Sequence, residues 1–265
     1  MVNKSILASV SVSGQFAKPS VSPTDGASAA QNPDAYTFFK GDGSKGAGWP
    51  TQDQWINFND MFDRNSKVMG QGCTAGVTPT TTDEIDTIKS AIQSVASAAA
   101  IDPRFVLATV MQESNGCVRV PGTPSGEAGV FNPGLMQSFK GTGTCNVNNT
   151  QQINPCPPDQ ITQMIVDGTQ GVNTPDASGK DALQGGLVQQ INAQTTADAN
   201  GQIYYKAARA YNSGAISADG VLETAGQCGP PRTFGVPCYS SDIANRMMGW
   251  VSAPTGCDLK PAASC

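Results

Sequence analysis

The chain has 265 residues, of which 14% are charged, with a net charge of −5 and a sequence pI of about 4.7. That length supports one domain with a sizeable core, or one domain with a decorated amino terminus. The acidic balance excludes the basic footprint that nucleic-acid binding needs, no apolar run is long enough to span a membrane, and abundant Gly, Ser, Thr, Asn and Gln give the texture of a loop-rich secreted protein.

Residues 1–34 are rich in Ser, Ala, Pro and Gly and hold few large apolar groups, so they read as a flexible arm without a core of its own. Ser5-Ile6-Leu7-Ala8-Ser9-Val10 is too short and too polar for the hydrophobic region of a signal peptide. Residues 35–72 carry Tyr36, Phe38, Phe39, Trp49, Trp55, Phe58 and Phe62. That density predicts an extension packed on the main domain, although aromatics also stack on sugar faces. Within it, Gly41-Asp42-Gly43-Ser44-Lys45-Gly46 matches a dinucleotide-binding pattern literally, but it follows no strand and opens no helix.

The main domain is taken as 73–265. Thr81 and Glu84 form a capping box, after which Ile85, Ile88, Ile92 and Val95 recur at helical spacing. Asp102-Pro103 starts a second helix that runs to about Ser114, with Val106, Leu107, Val110 and Met111 as its apolar stripe and Gly116 as its stop. Further helices are expected over 160–166, 180–194, 203–211 and 242–251. Strand signals are few and short. The fold class is mostly α, a disulfide-stapled helical domain with long loops and no internal repeat.

Eight cysteines, no Cys-x-x-Cys and no histidine leave the common zinc patterns without ligands. Four disulfides in an oxidising compartment follow, and about a hundred pairings are formally open. Short loops favour Cys145–Cys156, Cys228–Cys238 and Cys257–Cys265, which leaves Cys73–Cys117. Asn3-Lys4-Ser5 and Asn148-Asn149-Thr150 are glycosylation sequons, in keeping with a secreted, extracellular protein.

The chemistry centres on Glu113. In the last turn of its helix a carboxylate meets the negative end of the macrodipole, and apolar neighbours such as Val110 and Met136 add desolvation. Both raise its pKa, as a general acid near neutral pH requires. Ser114 can bond the helix end or the turn after it and is a candidate substrate contact, and without histidine it has no triad base. Downstream, Gly134-Leu135-Met136-Gln137 combines a permissive glycine, two apolar anchors and an amide for sugar hydroxyls or backbone. Ala210-Tyr211-Asn212-Ser213-Gly214 ends a later helix and offers a phenol able to reach the Glu113 carboxyl.

Glu113-Ser114, then Gly134-Leu135-Met136-Gln137, then Ala210-Tyr211-Asn212-x-Gly214, in that order, resembles the lysozyme-like superfamily of soluble lytic transglycosylases and goose-type lysozymes. The resemblance runs from Asp83 to Val251. It implies an α+β lysozyme-like fold and cleavage of the β-1,4 link between N-acetylmuramic acid and N-acetylglucosamine in peptidoglycan. It also implies Glu113 as acid, residues 134–137 lining the cleft opposite it, Tyr211 bonded to the glutamate and Asn212 facing the sugar. Goose-type lysozymes carry aspartates between the glutamate and the Gly-Leu-Met-Gln segment and just after it. Here Glu127 falls in the first region as the candidate base, and Ser138-Phe139-Lys140 holds no acid in the second. Lytic transglycosylases do without a second carboxylate and leave an anhydro sugar, so both routes stay open. The acidic charge supplies no attraction to an anionic wall, which keeps a chitin- or chitosan-cutting enzyme as an alternative beside a non-catalytic glycan binder. The expectation is a monomer acting on polysaccharide, with no cofactor, metal, nucleic-acid or membrane partner.

Overall fold

A computed structural model describes residues 25–125, 129–175, 181–223 and 235–258. Among them are seven α-helices: α1 (Phe58–Met69), α2 (Thr82–Ala98), α3 (Pro103–Ser114), α4 (Pro158–Gln170), α5 (Leu187–Asn192), α6 (Gln202–Ser213) and α7 (Tyr239–Met247). Three antiparallel hairpins lie between helices: β1 (Thr123–Pro124) with β2 (Phe131–Asn132), β3 (Asn146–Val147) with β4 (Gln151–Gln152), and β5 (Val172–Pro175) with β6 (Asp181–Gln184).

The helix α3 forms the centre. Ten of its twelve residues are buried, including Phe105, Ala108 and Thr109 outside the expected stripe, because α1, α2 and α7 all pack around it. Asp102 caps it by accepting from the Arg104 amide (2.9 Å), and Pro103 fills its first turn. The capping box of α2 forms as expected, with Glu84 Oε2 accepting from the Thr81 amide (2.8 Å).

Three expected helices differ from their predicted bounds by more than two residues, α4 by running on to Gln170 past the expected 166. The stretch 180–194 is not one helix: its first part is strand β6, and α5 begins only after Gly185-Gly186. Gly185 takes a φ of 76°, a left-handed conformation that ends the strand and resets the chain direction before the helix. The last helix starts at Tyr239, three residues before the expected Asp242, and stops at Met247.

The aromatic segment belongs to the same core as the helices that follow it. Trp55 is fully buried, donates its indole N–H to the Tyr205 hydroxyl (2.8 Å) and lies edge-on to Tyr204. The Arg104 guanidinium sits 5.0 Å from its ring centroid. Residues 25–34, expected to belong to a flexible arm, are docked: the Ala27 amide bonds Trp55 O (2.8 Å), and Asp34 accepts from the amide of Val251 (2.8 Å).

Cys73–Cys117 and Cys145–Cys156 pair as expected. The other two expected pairs are corrected by a Cys238–Cys257 bridge. The tail after α7 folds back until the two Cα atoms lie 6.0 Å apart, so tertiary proximity overrides the preference for the shortest loop. Cys228 and Cys265 lie outside the described residues.

A buried ion pair locks the loops around α2. Arg119 donates to both Glu84 oxygens (2.6 and 2.8 Å) and to the carbonyls of Thr78 and Pro79, while Glu84 also accepts from the Cys156 amide (2.7 Å). Burial opposes ionisation of Glu84, but the Arg119 and amide donors outweigh it and hold the carboxyl at about 2. Arg119→Ala leaves that carboxylate buried without its partner and is expected to cost about 3–5 kcal/mol in denaturant unfolding at pH 7. Because the folded pKa lies below the unfolded one, the stabilisation from this pair is complete above about pH 4.5 and is lost as pH falls toward 2. The gap between wild type and variant in acid unfolding should close over that window.

Candidate active site

Glu113 sits where the sequence places it, in the last turn of α3. The helix ends immediately afterwards, with Asn115 in the left-handed region at φ 49°. The Ser114 hydroxyl lies between the carbonyl oxygens of Val110 (2.9 Å) and Leu135 (2.8 Å) and accepts from the Gly116 amide. One buried hydroxyl therefore joins the end of α3 to the 133–138 turn and fixes the glutamate beside it. Ser114 was a candidate for substrate contact, and its donor and acceptor capacity is spent inside the protein.

The turn itself is shaped by Gly134. Its φ is 77°, and a Cβ there would approach Gly143 O to 2.7 Å and the Met164 side chain to 2.8 Å. The glycine thus serves close packing against α4 and the loop before it. Leu135 and Met136 are fully buried, as anchors should be. Gln137 has its own left-handed φ of 46° and a buried side chain. Its Oε1 accepts from the Thr123 amide (3.0 Å) and its Nε2 donates to Gly134 O (3.0 Å). Of the two kinds of partner open to this amide, sugar hydroxyls or backbone, it takes backbone and holds strand β1 against the turn. Residues 134–137 therefore build the wall beside Glu113, with their side chains turned into the protein.

Two tyrosines face the glutamate, and their roles differ from expectation. The hydroxyl of Tyr211 donates to Met136 O (2.8 Å), so the expected bond from Tyr211 to Glu113 is corrected. That bond comes from Tyr239, whose hydroxyl donates to Glu113 Oε1 at 2.5 Å. Tyr239 opens α7, directly after disulfide-bonded Cys238, and α7 packs on α3. Helix periodicity missed it because the expected helix began only at Asp242, just before the apolar Ile243; a tyrosine next to a cysteine was the one available signal. Tyr211 remains close enough that the charge of Glu113, after burial, contributes to raising its pKa.

Asn212 is partly exposed, and its Oδ1 accepts from the Val236 amide (2.7 Å). It fastens the chain entering α7 to the end of α6. Glu127, the candidate base, lies outside the described residues. No group of three or more metal-ligating side chains occurs among the described residues.

The electrostatics follow from these contacts. Glu113 is partly exposed yet largely enclosed, and burial raises its pKa to about 7 against the opposing hydrogen bond from Tyr239. Burial and the charge of Glu113 push Tyr239 well above the usual phenol range, so it stays a donor wherever Glu113 titrates. A second layer ties α7 to α3. Arg246 Nε donates to Gln112 Oε1 (2.8 Å), and Gln112 Nε2 donates to Asp242 Oδ2 (3.0 Å). The Tyr36 hydroxyl donates to the other Asp242 oxygen (2.7 Å). Asp242 is consequently occupied on both oxygens.

A carboxyl whose folded pKa exceeds its unfolded value contributes stability that is complete below about pH 4.5 and is lost as pH rises through 7. Glu113→Gln is thus expected to be more stable than wild type at pH 8 by about 1–3 kcal/mol, with the advantage shrinking toward pH 4.5. Thermal unfolding across that range checks it. Tyr239→Phe removes the donor that favours the carboxylate, and an NMR titration of Glu113 should then give a pKa above that of wild type. Compared with known proteins, the chain finds no counterpart: no family model, no curated protein and no solved structure matches it.

Proposed function

We propose that this chain is a secreted glycosidase on a lysozyme-like fold. It cleaves the β-1,4 linkage between N-acetylmuramic acid and N-acetylglucosamine in peptidoglycan, as a muramidase or a lytic transglycosylase. The observation that carries this reading is Glu113: a partly exposed carboxyl at a helix end, raised to about 7 by burial and oriented by the Tyr239 phenol. Near neutral pH a large share of it is protonated. A protonated carboxyl within reach of a glycosidic oxygen can deliver its proton as the C1–O bond breaks. The same pKa lets the resulting carboxylate take a proton back in the second half of the reaction.

Tyr239 holds the Glu113 carboxyl in one orientation, and Tyr211 braces the 133–138 turn from the other side through Met136 O. The second half of the reaction has two forms. With Glu127 as base, water adds and a reducing end results. With Glu113 alone, the substrate's own N-acetyl group assists and an anhydro end results. Chitin-type polymers are the second substrate reading, since a net charge of −5 gives no attraction to an anionic wall.

Mass spectrometry of products from purified peptidoglycan, with chitin oligomers in parallel, separates these forms. Glu113→Gln should lower turnover by about 10²–10⁴-fold while glycan binding persists. Turnover should fall on the alkaline side with a midpoint near 7, and Tyr239→Phe should move that midpoint upward. Absence of product from either polymer with the wild-type protein refutes the enzymatic reading and leaves a glycan binder.

A further inference from the structure

We infer that Asn148 is an acceptor for an N-linked oligosaccharide. The sequon Asn148-Asn149-Thr150 forms the tip of the β3–β4 hairpin. Asn148 and Asn149 both take positive φ (52° and 58°), and the Thr150 amide closes the turn on Val147 O at 3.1 Å. Three residues separate the paired Val147 and Gln151, and the left-handed conformation at 148 and 149 is one that asparagine tolerates.

The two asparagines are used differently. Asn149 is the structural one. Its Oδ1 accepts from the Gly122 amide (2.7 Å) and its Nδ2 donates to Gly122 O (2.8 Å), pinning the tip to the body. Gln152 adds a second anchor: its Oε1 accepts from the Thr78 amide (2.8 Å), and its Nε2 donates to Gly76 O (3.0 Å). The Cys145–Cys156 bridge closes the base of the hairpin. Asn148 is exposed, and no described residue hydrogen-bonds its side-chain amide. Turn geometry accounts for a residue tolerant of positive φ at 148, but it gives no reason for a hydroxyl two positions later. Thr150 is exposed as well, with its hydroxyl 3.4 Å from Val147 O. A rigid, protruding tip with a free amide and a threonine at the required spacing is what transfer in an oxidising secretory compartment needs. The three disulfides belong to the same compartment.

The donor class is a lipid-pyrophosphate-linked oligosaccharide. Asn148 Nδ2 bonds to C1 of its reducing N-acetylglucosamine, the C1–O bond to pyrophosphate breaks, the amide gives up one proton, and lipid pyrophosphate leaves.

The test is secretion of the full chain from a eukaryotic host, followed by peptide mapping with and without peptide-N-glycosidase. The peptide holding Asn148 should be recovered with aspartate at 148 only after the glycosidase. Asn148→Asp and Thr150→Ala, which both suit the turn backbone, should lose the glycan at this site, and Thr150→Ser should keep it. Recovery of unmodified Asn148 from secreted, disulfide-bonded wild type overturns the proposal, whether or not Asn3 carries a glycan. So does a glycan at 148 that survives Thr150→Ala.

Discussion

The Arg119–Glu84 ion pair is the constraint on which the loop architecture rests. Long Gly- and Pro-rich connections have no ladder of their own to satisfy their backbone groups. One guanidinium answers for several of them at once, reaching the carbonyls of Thr78, Pro79 and Ile153 while gripping the N-terminal carboxylate of α2. The Arg119 carbonyl in turn accepts from Asn146 Nδ2 (2.9 Å), which brings the β3–β4 hairpin into the same knot. Two residues further on, Pro121 O receives the Gln137 amide (3.3 Å), so the wall beside Glu113 is suspended from this anchor.

Glu84 and Glu113 show how one fold drives the same side chain in opposite directions. Both are taken out of water, which by itself favours the neutral acid. Around Glu84 a bidentate arginine and two amides stabilise the anion and pull its pKa to about 2. Around Glu113 the single phenol of Tyr239 does not match the cost of burial, and the pKa settles near 7. The first is a fixed charge used as a structural joint. The second is a proton reservoir within the neutral range.

The amino-terminal segment takes part in holding that reservoir. Tyr36 bonds Asp242, the Thr37 amide bonds Asn245 Oδ1 (2.8 Å), and the Phe39 amide bonds the Ser241 hydroxyl (3.1 Å). Residues 36–39 thus run along α7, the helix that presents Tyr239. The Cys238–Cys257 bridge secures the start of the same helix. An extension that composition alone could assign to packing is bound to the helix that orients the acid.

Local features were legible in the sequence wherever their physics is local. The Thr81–Glu84 capping box, the Asp102-Pro103 start and the placement of Glu113 at a helix end depend on residues a few positions apart, and all appear as read. Glu113 could be singled out because a helix terminus and apolar neighbours suffice to argue a raised pKa. Partners drawn from distant segments could not be read this way. The phenol on Glu113 comes from Tyr239 rather than Tyr211, Gln137 is spent on Thr123, and Cys238 pairs across α7 with Cys257. Each outcome turns on where α7 and the 133–138 turn settle against α3. Side chains at any sequence separation compete for the same few ångströms there, and only the packed structure decides which of them arrives.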